Sequence, residues 1–191
     1  MFVQSFQHLN PFEPFYESQM LLNKIHLEIL TRYFLLSHIV FDSVISLFHI
    51  ASYQNTDEDV KNYFKTASIH VKKGGKFIFD LWYKPAVLTQ RPEKRVKELE
   101  NDEIKVVRYC TPEHLEDKNI VKVHYKIDIT NKKTGNQQVV EETHSMRYFS
   151  SEDVEKFAKE AGFKIVLEEE WLTKNKPSED TWGVCFVAEK L

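Results

Sequence analysis

The chain has 191 residues, a mass of 22.7 kDa, a formal net charge of −3 and 42% hydrophobic residues. This length suits one large domain, and the near balance of charges excludes a general attraction to nucleic acid or to anionic membranes. Two cysteines cannot form a disulfide framework, and Cys185, in the apolar run WGVCFVA, is expected to be a small buried side chain. No secretory signal is visible and charges interrupt the apolar stretch over 29–50, so we expect a soluble, cytoplasmic protein.

The first 40 residues are predicted to form an N-terminal arm and a helix. Residues 1–15 are rich in aromatic side chains and interrupted by two prolines, which is typical of irregular structure. Over 16–36, apolar side chains recur at helical spacing, among them Leu21, Ile25 and Ile29. This pattern predicts a helix that covers one face of a sheet.

The next segment is predicted to form a strand, a helix and a second strand. Residues 40–48 are an almost continuous apolar run, typical of a parallel strand buried on both faces. A helix is predicted over 57–71, with Thr56 or Asp57 as its N-cap, and Gly74-Gly75 is expected to end it and turn the chain into a strand over 77–82. A right-handed crossover makes the two strands parallel and adjacent, or nearly so.

From residue 84 to 147 the pattern becomes typical of an antiparallel insertion. Three stretches alternate in polarity, over 104–110, 121–130 and 138–146, with a hairpin turn at 133–136. A helix then follows, capped by Ser150 or Ser151 and ended by Gly162. Segments 164–170 and 181–189 are predicted to form a terminal strand pair.

In this order, the elements resemble the second half of the class I S-adenosylmethionine-dependent methyltransferase fold. FDSVIS at 41–46 is similar to the family's fourth strand, KKGGKFIFD at 72–80 to the turn into its fifth, AGF at 161–163 to the approach to its sixth, and DTWGVCFVAEK at 180–190 to its seventh. The runs PAVLTQRPEKRVK, EETHSMRYF and EWLTKNKPSEDTW are similar to a bacterial subgroup laid out like amino-sugar N-methyltransferases. The resemblance covers about 41–191 and implies a partial Rossmann-like α/β fold, with strands four to seven, a three-stranded antiparallel insertion and an N-terminal helix.

The family's glycine-rich cofactor loop has no counterpart before residue 41. Glycines in such a loop let the backbone approach the ligand closely. The five glycines of this chain are at 74, 75, 135, 162 and 183. Three more strands with their helices would need about 90 residues at roughly 30 per unit, where 40 are available. We therefore expect a truncated fold in which binding of S-adenosylmethionine, the cofactor that the resemblance implies, is impaired.

The resemblance implies a site at the carboxyl ends of strands four and five, where open α/β sheets bind ligands. It implies that Leu47 and Phe48 back the cofactor and that His49 and Tyr53 face the methyl acceptor as catalytic candidates. Methyl transfer needs mainly an in-line approach set by positioning, with modest help from a general base. The substrate-binding candidates are Asp80, Trp82, Tyr83, Arg91 and Arg147.

Each of these side chains also has a structural interpretation. His49 and Tyr53 fit ordinary partly buried polar groups, the residues at 80–83 fit core aromatics with a turn carboxylate, and Arg91 fits the surface. His144 and Arg147 lie three positions apart in a predicted strand, so at most one of them faces the cleft. The histidine spacing predicts no metal site.

Two functions of different classes follow from these observations. One is methyl transfer from S-adenosylmethionine to a small-molecule acceptor, with a sugar or related metabolite as the candidate, impaired by truncation. The other is a non-catalytic binding or scaffold protein built on a half fold, in which the N-terminal helix or a second copy of the chain covers the edge of the strand over 41–46. A third interpretation makes residues 1–40 the product of a disrupted reading frame. No nucleic-acid or membrane partner is predicted.

Overall fold

The computed structural model describes residues 39–191, so the arm and helix predicted over 1–36 lie outside the described residues. The described part forms eight strands and three α-helices. In chain order these are β1 Phe41–Ser46, α1 Asp57–His70, β2 Val71–Tyr83, α2 Lys84–Gln90, β3 Arg95–Glu100, β4 Ile104–Leu115, β5 Ile120–Asn131, β6 Gln137–Phe149, α3 Ser151–Glu160, β7 Phe163–Glu170 and β8 Gly183–Lys190. Short 3₁₀ turns occupy Ile50–Tyr53 and Glu116–Lys118.

Strand β2 organises the sheet. It pairs parallel with β1 and antiparallel with β8, and β7 pairs antiparallel with β8 on the outside. The last two residues of β2, Trp82 and Tyr83, pair parallel with Tyr148 and Phe149 of β6, which joins the antiparallel strands β3–β6 to the core. The α/β fold, the parallel neighbours β1 and β2 and the terminal strand pair are confirmed.

The insertion has four antiparallel strands, so the prediction of three was wrong. The additional strand is β3, which pairs with β4 along its whole length. All six of its residues are exposed and four of them are charged. An outer strand that is exposed to solvent on both faces shows no alternation of apolar and polar residues. The sequence of β3 therefore resembles a polar linker.

The prediction that the first strand is buried on both faces was also wrong. No residue of β1 is fully buried, and Ile45 is 61% exposed. Among residues 39–191, only β2 pairs with β1. The apolar run therefore forms an edge strand of the described structure.

Gly74 and Gly75 do not end the helix. Helix α1 ends at His70, and the glycines lie inside β2, where the register jumps between the pairs Phe41–Val71 and Ser43–Lys76. Gly74 has φ +78°, and a Cβ on Gly75 would lie 2.7 Å from the carbonyl oxygen of Asp42. The two glycines thus permit an irregularity in the strand rather than a turn.

The helix starts follow the sequence closely. Thr56 caps α1 and Ser150 caps α3, each through a capping box with the aspartate three residues later. Gly162, with φ +80°, follows the end of α3 as predicted. Within residues 39–191, the helices are all too short or too polar to cross a membrane, and His, Cys, Asp and Glu form no group suited to a metal ion.

The main core packs the helices α1 and α3 against β2 and β8. Phe79 is fully buried, and its ring centroid lies 4.8 Å from that of Phe77 and 5.6 Å from that of Phe186. Burial of one such side chain contributes about 1.5–3 kcal/mol. A second cluster joins α2 to one face of the insertion, and Cys185 is buried as predicted.

Candidate functional site

Three segments meet at one edge of the sheet. Because β1 and β2 are parallel, the turn after β1 and the end of β2 lie at the same edge. The pairing of Trp82 with Tyr148 brings β6 of the insertion to this edge as well. The junction therefore combines backbone from the core and side chains from the insertion.

Asp80 fixes the start of the turn after β1. Its side chain is buried, and Oδ1 accepts a hydrogen bond of 3.0 Å from the backbone N–H of His49. His49 Nδ1 lies 3.0 Å from Asp80 Oδ2. Phe48 and His49 both have positive φ, 66° and 61°, a region that costs energy for residues with a Cβ. The buried carboxylate thus stabilises a strained backbone, which is a frequent property of functional sites.

Glycine at position 183 leaves room for the His49 ring. A Cβ on Gly183 would lie 3.3 Å from His49 Cε1, which is tighter than most contacts of that kind. Gly183 begins β8 directly opposite Trp82. The imidazole therefore lies against the backbone at the edge of the sheet.

The 3₁₀ turn that carries Tyr53 is anchored by Ser52. The Ser52 hydroxyl is fully buried and its oxygen accepts a hydrogen bond of 2.9 Å from the backbone N–H of Trp82. The N–H of Ser52 in turn donates to the carbonyl of His49. These bonds set the position of Tyr53 relative to β2.

Tyr53, His144 and Glu142 form a continuous hydrogen-bonded chain. The Tyr53 hydroxyl lies 2.6 Å from His144 Nδ1, and His144 Nε2 lies 3.1 Å from Glu142 Oε2. A carboxylate only accepts hydrogen bonds, so Nε2 carries the proton of the neutral ring. Nδ1 is then an acceptor, and the Tyr53 hydroxyl donates to it.

The surroundings of this chain of three keep the tyrosine neutral. Burial raises the pKa of Tyr53, and the negative charge of Glu142 raises this pKa further. On the side of β5, the Tyr125 ring lies edge-on to His144 with centroids 5.5 Å apart. The guanidinium carbon of Arg108, from β4, lies 5.5 Å from the centre of the Tyr125 ring.

Seven of the nine predicted residues lie at or beside this junction. His49, Tyr53 and Asp80 make the contacts described above. Trp82 packs edge-on against Trp182, and the Tyr83 hydroxyl lies 3.3 Å from that of Ser151. Leu47 and Phe48 follow β1 directly, and Phe48 is 71% exposed.

The two predicted arginines have protein partners instead. Arg91 forms an ion pair with Glu116, in the connection between β4 and β5. Arg147 donates to Asp57 at 2.7 Å and lies over the ring of Phe149. His144 and Arg147 contact different neighbours from opposite faces of β6, and only His144 reaches Tyr53, so the expectation that at most one faces the cleft is met.

Sequence reasoning missed Glu142 and Tyr125. Glu142 was detectable, because it lies two residues from His144 and therefore on the same face of a strand. Tyr125 lies directly opposite Glu142 in the β5–β6 register, and that pairing cannot be read without the register.

No protein-family model and no curated protein matches the sequence. Solved structures do match. A S-adenosylmethionine-dependent methyltransferase from Clostridium acetobutylicum is 21% identical, with a TM-score of 0.68 over 91% of this chain and 72% of that chain. An amino pentose methyltransferase of calicheamicin biosynthesis from Micromonospora echinaspora is 16% identical, with a TM-score of 0.62 over 81% of this chain and 60% of that chain. A sugar N-methyltransferase from Streptoalloteichus is 17% identical, with a TM-score of 0.64 over 80% of this chain and 57% of that chain.

The chain therefore has the class I S-adenosylmethionine-dependent methyltransferase fold, and the resemblance stated from the sequence is confirmed at that level. At these identities, the likeness establishes the fold alone. The match spans 57–60% of the two sugar-modifying enzymes.

The described residues fit one side of S-adenosylmethionine. Phe48 offers an exposed ring at the carboxyl end of β1, and Leu47 is half-buried beside it. The Asp80 carboxylate is buried and accepts a hydrogen bond from the backbone N–H of His49, so it holds the turn rather than facing solvent. Residues 39–191 thus provide an apolar surface beside the turn after β1, and they contain no glycine-rich loop.

Proposed function

We propose that this chain is part of a S-adenosylmethionine-dependent methyltransferase that acts on a small-molecule acceptor, with an amino sugar as the candidate. The observation that carries the proposal is the polar junction at the carboxyl ends of β1 and β2, where Asp80 holds the turn after β1 and Tyr53 contacts the insertion. Two structural neighbours that methylate sugars or amino sugars support the acceptor class.

Each residue at the junction has a distinct task in this proposal. Leu47 and Phe48 form the apolar surface against which the cofactor lies, and the cofactor supplies a methyl group on a sulfonium, ready for in-line attack. Asp80 and His49 hold the backbone that presents this surface. Tyr53 and Trp82 line the acceptor side, so their main contribution is to orient the nucleophile.

Calorimetric titration of S-adenosylmethionine and S-adenosylhomocysteine into the purified chain tests the proposal. We expect measurable binding, because the apolar surface and the held turn are preorganised, but weaker binding than a site with a glycine-rich loop would give. Phe48→Ala is expected to weaken binding about tenfold, the loss of one stacked ring worth roughly 1–1.5 kcal/mol. Tyr109→Ala is the control, since Tyr109 is an exposed aromatic residue on the insertion and contacts Lys126 instead. No binding at millimolar ligand would refute the enzyme assignment for this chain.

A second function is favoured by the edge of β1. Ile45 is 61% exposed there, β2 is the only strand neighbour of β1 within residues 39–191, and exposed sheet edges invite association. We infer, as the alternative, a non-catalytic protein that forms a homodimer across this edge. Analytical ultracentrifugation tests this alternative: Ile45→Lys converts a dimer into a monomer if the edge is the interface, and it leaves the sedimentation coefficient unchanged if it is not.

We infer a cytoplasmic location for this chain. The free thiols of Cys110 and Cys185 fit such a reducing compartment.

A further inference from the structure

We propose that Glu142 and His144, both supplied by strand β6 of the insertion, accept the proton that the methyl acceptor must lose, with Tyr53 as the group that touches the acceptor. The acceptor is then a protonated amine. This inference rests on the proposed function and adds to it the acceptor's protonation state and the source of the base.

The geometry places the three groups in the order that such a transfer needs. Tyr53 lies in the turn after β1, at the carboxyl edge, while His144 and Glu142 lie behind it. The His144 side chain is 21% exposed and that of Glu142 is 10% exposed, so water competes little for either. Because the Tyr53 hydroxyl donates its proton in the hydrogen bond to His144 Nδ1, its oxygen keeps its lone pairs for the acceptor.

The proton moves in one direction along this chain. The acceptor's N–H bond breaks and its electron pair stays on nitrogen, for use in the bond to the methyl group as the sulfonium sulfur leaves with the other pair. The released proton binds Tyr53 Oη while the tyrosine's own proton moves to His144 Nδ1. The resulting imidazolium is stabilised by Glu142 through Nε2–H, and the proton later passes to water. Among residues 39–191, Tyr125 contacts His144 ring to ring, and the guanidinium carbon of Arg108 lies 5.5 Å from the centre of the Tyr125 ring.

A second histidine–glutamate pair on the same insertion provides an internal control. His124 Nε2 lies 3.3 Å from Glu113 Oε2, and His124 Nδ1 lies 2.9 Å from the Thr143 hydroxyl. This pair is 43% and 50% exposed, lies on the opposite face of the insertion and has a threonine rather than a tyrosine hydroxyl at Nδ1. The two pairs share their chemistry and differ in burial and in access to the acceptor.

The first experiment measures the histidine tautomers by ¹⁵N NMR at pH 7 and needs no cofactor. We expect His144 to carry its proton on Nε2 in the wild type and to become a mixture of tautomers in Glu142→Gln. In Glu113→Gln, the His144 signals are expected to stay unchanged. A proton on Nδ1 of His144 in the wild type would overturn the proposal whatever the activity shows.

The second experiment follows methyl transfer to D-glucosamine by mass spectrometry between pH 7 and 9. We expect Glu142→Gln to lower kcat about 100-fold at pH 7, within the range of general-base effects, and the deficit to shrink as the amine loses its proton to water. Glu142→Asp is expected to recover part of the rate, and Glu113→Gln to match the wild type. If Glu142 only supported the local structure, the loss of kcat in Glu142→Gln would be the same at every pH. This result would refute the proton transfer through Tyr53 and His144 but not the proposed function. Failure of S-adenosylhomocysteine to bind the wild type would refute the proposed function, and this inference with it.

Discussion

The backbone after β1 gives a quantitative test of the site. Phe48 has φ 66°, and its side chain is mostly exposed, so truncation removes little packing. A Cβ in the left-handed region costs about 1–2 kcal/mol, while glycine loses about 0.4–1 kcal/mol through the greater freedom of the unfolded chain. Phe48→Gly should therefore be more stable than Phe48→Ala by about 0.5–1 kcal/mol, or about 1–4 °C in Tm for a chain of this size.

Both variants lack the phenyl ring, so their difference isolates the backbone. Lys65, exposed in the middle of α1, is the matched control. There Lys65→Gly should be less stable than Lys65→Ala by about 1 kcal/mol, the usual helix preference. Urea unfolding followed by circular dichroism gives both comparisons. If glycine is the less stable residue at position 48 too, the turn is not strained, and Asp80 is not needed to hold it.

Three further predictions concern the scaffold. Phe79→Ala should cost about 3–5 kcal/mol in the free energy of unfolding, because its ring contacts several buried aromatic rings; a cost below about 1.5 kcal/mol would mean that the core repacks. Ser150→Ala should cost about 1 kcal/mol through loss of the cap of α3, seen as a lower urea midpoint at unchanged m-value. A hydrogen bond from Arg147 holds the pKa of Asp57 below its ordinary value, so this contribution is present above the ordinary pKa of an aspartate and is lost as the pH falls through the folded pKa. The free energy of unfolding of the wild type should exceed that of Asp57→Asn by no more than about 0.5 kcal/mol at pH 7, since the Asp57 side chain is largely exposed although that of Arg147 is not. Urea titrations at pH 7 and pH 3 should show that this difference disappears at the lower pH.

The sequence predicts those parts of the fold that depend on local chemistry. The caps at Thr56 and Ser150 and the stop at Gly162 are visible because each satisfies backbone groups within a few residues. The position of Gly74-Gly75 inside a strand is not visible, because the close approach to Asp42 depends on the neighbouring strand. Exposure of β1 is equally hidden, because an apolar strand looks the same whether or not a second neighbour covers it.

The same distinction applies to the site. Tyr53 and His49 could be singled out from their position after a strand that resembles a known one. Their contacts with Asp80 and His144 could not be predicted, because Asp80 lies 31 residues from His49 and His144 lies 91 residues from Tyr53. Contacts at such separations are fixed by strand register, which the alternation within each strand does not specify.

Strand register also explains why the insertion belongs to the site rather than only to the surface. The pairs Trp82–Tyr148 and Tyr83–Phe149 tie the end of β6 to the end of β2. Because side chains alternate along a strand, this one attachment decides that His144 and Glu142 face Tyr53 while Arg147 faces Asp57. A slip of one residue would exchange these faces, put Thr143 or Ser145 in the place of His144 and remove the base. The short parallel pairing between β2 and β6 is therefore the structural element on which the proposed proton transfer depends.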